Sequence, residues 1–343
     1  MNNVILTSEL IANATQKLIN HENDAFKHVV QLYTNLDKSS DYRLICELSI
    51  IYAKLLGYHK SNYKKSVEII NKAIKDARYI DSPIVLKAEL DFFLGIFHHF
   101  LGDYVESFLH YHKAIEQYEK VENIKPLEEQ NIANALINIG ALCKLNDYEE
   151  YNKKDINRAL QIYTKLNAKF GIANCYNLFA TYAANKKNYK EAMTYYKKAL
   201  TLNIKLDKVD GIAICFSNIA NIYSNQGKLD EAFSYLKKSY EKLELLKNDF
   251  LFALHDIFTA ETYLKKKDFK KVITHYRKAL DFFEDKEYKT ELIDIYKGLA
   301  DTYAATNQYK KAYHYLLKHN ELKKSAYVFD KAHTLHKLNK KSI

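Results

Sequence analysis

The chain has 343 residues, 48% of them hydrophobic, and carries 52 Lys and Arg against 42 Asp and Glu, a formal net charge of +10. That much apolar material excludes a disordered chain, and a length of this order allows two or three compact domains or one extended repeat array. No apolar run reaches the ~18–20 residues of a membrane span, and the opening MNNVILTSELIANATQ lacks the basic start and cleavage site of a secretory leader.

A cytoplasmic location without membrane attachment is therefore expected. Lys, Glu, Leu, Ala, Tyr and Asn dominate, there are only 8 Gly and 2 Pro, and no alternating strand pattern occurs, so the whole chain is expected to be helical. Residues 1–40 form an N-terminal segment with two predicted helices, near 7–20 and 22–36. From residue 41 the chain falls into helix pairs. The first pair, ELSIIYAKLLGYHKSNYKKSVEIINKAI, has a longer turn than its successors. In the second, DSPIVL offers Ser82 as an N-cap and Pro83 at the first helical position. The unit from Pro126 to Leu166 keeps Gly140 and Ala159 but has Asn152 where Ala is expected, which predicts a distorted second helix.

The later units repeat at forty residues. The first helix of each carries a small residue at Gly140, Ala180, Ala220, Ala260 and Ala300. The second helix starts with Tyr189, Leu229, Phe269 and Tyr309 and continues with Ala192, Ala232, Val272 and Ala312. Small residues let two antiparallel helices cross closely, and aromatics such as Tyr176, Tyr189 and Tyr196 are expected to fill the space between one unit and the next. Gly227 in SNQGKLD, and Asn in ATNQY and ANKKNY, mark the intervening turns.

This arrangement resembles the tetratricopeptide repeat, in the long forty-residue form found in bacterial signalling proteins; FSNIANIYSNQGKLDEAFSYLKKSYEKL follows it almost position for position. The resemblance implies an all-α, right-handed superhelical solenoid of about seven helix pairs over 41–324, with N-terminal helices before it and a basic capping helix over 325–343. It also implies that first helices line a concave groove suited to an extended peptide or a partner segment.

The groove lining predicted from first-helix residues is Asn134, Asn138, Asn174, Asn177, Asn218, Asn221 and Asn225, followed by Glu261, Asp294, Lys297 and Asp301. A carboxamide both donates and accepts, so a row of them can pair with a peptide backbone whatever its side chains. Rap-type peptide receptors, to which the chain bears a distant similarity, use groove asparagines in that way. The matching basic set of a carboxylate clamp is absent from consecutive first helices.

Other chemistry is poorly supported. Cys46, Cys143, Cys175 and Cys215 form no CxxC pair and read as core residues. His98 stands where other units have Tyr, His110 and His112 point to different faces, and His333 and His336 lack thiol or carboxylate company. No phosphate loop, GxSxG, HExxH or kinase signature occurs, so no enzyme, metal site or cofactor is expected. The stretch from Lys318 onwards has seven Lys against Glu321 and Asp330 but no Arg or Gly, which favours an acidic protein partner over nucleic acid. The sequence thus predicts a protein- or peptide-binding scaffold, with a homodimer compatible with it. The alternative is the sensory module of a bacterial signalling protein, with an output domain beyond residue 343 or one acting in trans.

Overall fold

The computed structural model describes residues 23–36, 41–60, 62–144, 149–285 and 288–323, all helix and turn. The predicted helices near 7–20 and 325–340 lie outside the described residues. Contacts group the chain into two units that divide inside a helix, between Ala135 and Leu136.

The first unit holds α1 (Asn23–Leu36), α2 (Tyr42–Lys60), α3 (Tyr63–Asp76), a 3-10 turn (Ala77–Tyr79), α4 (Ile84–Phe100), α5 (Tyr104–Tyr118) and the start of α6 (Pro126–Lys144). Val29 of α1 packs against Leu55 of α2. Within α2–α3 and α4–α5 the close crossing is made by a serine: Ser66 Oγ donates to the Ala53 carbonyl at 2.8 Å, and Ser107 Oγ to the Gly95 carbonyl at 2.7 Å. A Cβ at Gly95 would stand 2.6 Å from the Tyr111 ring, so glycine is what lets that ring lie flat on α4. Ser82 does not cap α4. Its φ of 48° is left-handed, not the extended backbone of an N-cap, and Pro83 takes the N-cap position instead of the first helical one, without a side-chain bond.

The second unit continues with α7 (Glu149–Lys165), α8 (Lys169–Asn185), α9 (Tyr189–Lys205), α10 (Val209–Asn225), α11 (Leu229–Leu246), α12 (Asp249–Lys265), α13 (Phe269–Asp285), α14 (Lys289–Ala305) and α15 over 309–323. α7 runs unbroken through Asn152, so the expected distortion is absent: an intrinsically weaker helix former costs only tenths of a kcal/mol, too little to break a helix. Ala180, Ala220 and Ala260 are fully buried, as are Ala159, Ala192, Ala199, Ala232, Val272 and Ala279. Ser239 replaces Ala in one unit and satisfies its hydroxyl on the Ala213 carbonyl at 2.9 Å.

Seven of the turns between these helices, among the described residues, contain a residue in the left-handed region, which helps turn the chain back from one helix to the next. These are Asn167, Asp207 and Lys247 after second helices, and Lys187, Gly227, Lys267 and Asn307 after first helices. In ANKKNY the left-handed residue is therefore Lys187, not an asparagine. Asn188 instead caps α9, its side chain accepting from the Glu191 amide. Tyr176 stacks on Tyr195 of its own pair at 6.0 Å. Tyr196 packs with Ile219 and Ile222 of the following first helix, as expected. Among the described residues, no helix is long and apolar enough to cross a membrane.

Candidate functional site

Second helices cover one side of each first helix in the second unit, and the opposite side of α8, α10, α12 and α14 stays open. Equivalent positions on that face recur at forty residues, so one position reads Thr181, Asn221, Glu261 and Asp301, and another Asn174, Ile214, Leu254 and Asp294. The face therefore changes along the chain from carboxamides to carboxylates.

Asn221, Asn225, Glu261, Lys297 and Asp301 come together, with Asp294, around a pocket of about 340 Å³. Three successive first helices supply its walls, which no single repeat could do. Asn225 Nδ2 donates to Asn221 Oδ1 at 3.0 Å, and Lys297 Nζ to Asp301 Oδ1 at 2.9 Å, so side chains one turn apart hold each other in place.

The floor is Tyr276 of α13, which the sequence reading missed. Its side chain is 3% exposed and lies flat against Gly298, where any Cβ would strike the ring. Burial pushes the Tyr276 phenol well above its ordinary range, and the charges of Glu261, Asp294 and Asp301 push it further, so it stays protonated and can donate. The one available signal was Gly298, a glycine within a helix at a position where the other units have Asn218 or Phe258.

The remaining predicted residues lie elsewhere. Asn174, Asn177 and Asn218 are half-buried on α8 and α10. Asn177 is already engaged, its Oδ1 accepting from Cys215 Sγ at 3.4 Å. Asn138, half-buried on α6, belongs to the same unit, and Asn134 to the first unit.

A second polar cluster sits in the first unit. Asp91, with its side chain 2% exposed, accepts from His110 Nδ1 at 2.8 Å, Lys113 Nζ at 3.0 Å and Gln117 Nε2 at 2.8 Å. Burial alone would raise this carboxyl, but the three donors outweigh it and hold the group below its usual range. His98 stacks on His110 at 5.5 Å, in the packing role expected for it. Among the described residues, no group of three His, Cys, Asp or Glu side chains is placed to hold a metal ion.

Residues 171–245 match the family model of the tetratricopeptide repeat. No curated protein matches the sequence. Among solved structures, a Rap protein complexed with Competence and Sporulation Factor is 16% identical, with 94% of this chain and 97% of that one covered and a TM-score of 0.67. NprR in complex with its cognate peptide NprX is 18% identical over 91% of this chain and 87% of that one, with a TM-score of 0.67. Aspartyl phosphate phosphatase F from Bacillus subtilis is 17% identical over 94% and 80%, with a TM-score of 0.63. At such identities the likeness shows the fold. The tetratricopeptide repeats matched over 171–245 are built as the helix pairs α8–α9 and α10–α11 described above.

Proposed function

We propose that the open face of α8, α10, α12 and α14 binds an extended peptide or partner segment, and that the protein is a peptide-responsive regulator or scaffold and not an enzyme. The observation that carries this reading is the pocket walled by three consecutive first helices, with Asn221, Asn225, Glu261, Lys297 and Asp301 converging on it. A site spread over successive repeats suits a ligand that is itself extended. The carboxamides Asn174, Asn177 and Asn218 continue the same face, where they pair with backbone groups. Two of the similar structures were solved with bound factors, Competence and Sporulation Factor and the peptide NprX, which supports the reading.

The proposed array extends over 41–324, and the proposed location is the cytoplasm, in keeping with the free thiols of Cys46, Cys175 and Cys215. The test is to pan a random heptapeptide phage library on the protein and measure the synthesised winner by calorimetry. The double change Asn218→Ala with Asn221→Ala is expected to weaken that peptide about tenfold, since each hydrogen bond contributes about 0.5–1.5 kcal/mol net, while the melting midpoint stays put. A winner that binds the double variant as well as the parent rejects this face as the site.

A further inference from the structure

Position 203 departs from the packing rule of its neighbours. The fifteenth residue of α7, α11 and α13 is Tyr163, Leu243 or Phe283, each buried. In α9 it is Asn203, 1% exposed. Gly211 makes the room for it, since a Cβ there would stand 2.5 Å from the Asn203 carboxamide carbon.

The buried carboxamide is only half satisfied. Asn203 Nδ2 donates to Cys215 Sγ at 3.6 Å, and its Oδ1 has no hydrogen-bond partner. Cys215 Sγ in turn donates to Asn177 Oδ1 at 3.4 Å. The hydrogen bonds run one way, from amide to thiol to carboxamide oxygen, and end on a half-buried residue of the open face. Burial pushes the Cys215 thiol up to about 11, so it keeps the hydrogen that the chain needs. An apolar side chain at 203 would avoid the orphaned oxygen, which is a cost to the fold with no return in packing.

We propose that Asn203 and Cys215 are positioning residues that lock the Asn177 carboxamide with its oxygen turned inward, leaving its NH2 on the open face as a donor reserved for a backbone carbonyl of the bound peptide. This rests on the peptide-binding reading above. It assigns Asn177 one role, donor, where a freely rotating asparagine would offer both.

The test uses the full chain and the heptapeptide selected on it. Cys215→Val removes the S–H while filling similar volume, Cys215→Ser keeps a donor, and Asn203→Leu copies Leu243. The Val variant is expected to bind about three- to tenfold more weakly and the Ser variant within about twofold of the parent. Asn203→Leu is expected to melt about 2 °C or more higher yet bind more weakly, opposite signs that a purely structural role would not give. Equal binding by the Val and Ser variants overturns the inference, as does a Leu variant that binds like the parent. If Asn218→Ala with Asn221→Ala weakens the peptide while Cys215→Val does not, the face stands and the positioning role falls. If the library yields no peptide on the parent, the peptide reading itself falls and takes this inference with it.

Discussion

The pairs α4–α5 and α12–α13 differ from α8–α9, α10–α11 and α14–α15 at one point of contact. The eighth residue of the first helix meets the seventh of the second in each case. Two pairs place an acid on a histidine there, Asp91–His110 at 2.8 Å and Asp256–His275 at 2.6 Å. The other three place rings together: Tyr176–Tyr195, Phe216–Tyr235 and Tyr296–Tyr315, each with centroids 6.0 Å apart. A lysine three residues on follows whichever is present. Lys113 binds Asp91, whereas Lys198, Lys238 and Lys318 lie over the rings of Tyr195, Tyr235 and Tyr296. A ring face and a carboxylate are both electron-rich, so the lysine accepts either. The repeat thus preserves a geometry and a sign of charge, and leaves the chemistry free.

The sharpest way to break that equivalence is Asp91→Ala. It leaves the half-buried His110 and Gln117 without their acceptor, while Lys113 turns to solvent, and is expected to cost about 1–3 kcal/mol in urea denaturation. Asp256 and His275 are partly exposed, so Asp256→Ala should cost only about 1 kcal/mol. The exchange Asp256→Tyr with His275→Tyr, which copies Tyr176–Tyr195, should stay within about 1.5 kcal/mol of the parent if the two chemistries are interchangeable. A large loss there would show that the rings need more than this register.

Acid tests the histidines that lack a carboxylate. Burial holds His99 and His255 down to about 4, against about 6.5 in the unfolded chain. The unfolded chain then binds more protons, so stability is complete above about pH 6.5 and falls as pH drops towards 4, by up to about 3 kcal/mol for each residue. Denaturation midpoints measured between these limits should decline, and His99→Phe should flatten the decline. The smallest effect is expected at the turns: Lys187→Gly relieves a left-handed side chain and should stabilise by about 0.5–1 kcal/mol, bringing that turn to the state of Gly227.

How legible these features were in the sequence depends on their range. Ala180, Ala220 and Ala260 could be read directly, because the demand for a small residue at a helix crossing is local and periodic. Lys187 could not, because its left-handed backbone is imposed by a three-residue return that tolerates almost any side chain at modest cost. The acidic half of the candidate face was visible in Glu261, Asp294 and Asp301, but Tyr276 was hidden as one more packing aromatic. The link from Cys215 to Asn177 spans 38 residues and two helices, and nothing local announces it. The offset of 19 residues shared by Asp91–His110 and Asp256–His275 was a usable signal.

The turns after α9 and α11 share one feature: Asp207 and Lys247 both take the left-handed conformation two residues before the next helix begins. Excising 209–248 would therefore join Lys208 to Asp249 with a left-handed residue still two places before the helix, at the loss of the Asn248 cap, and duplicating the same stretch would do the reverse. A forty-residue stretch is therefore a modular length of this fold: removing or adding one changes the extent of the open face by a whole helix pair without requiring a new loop.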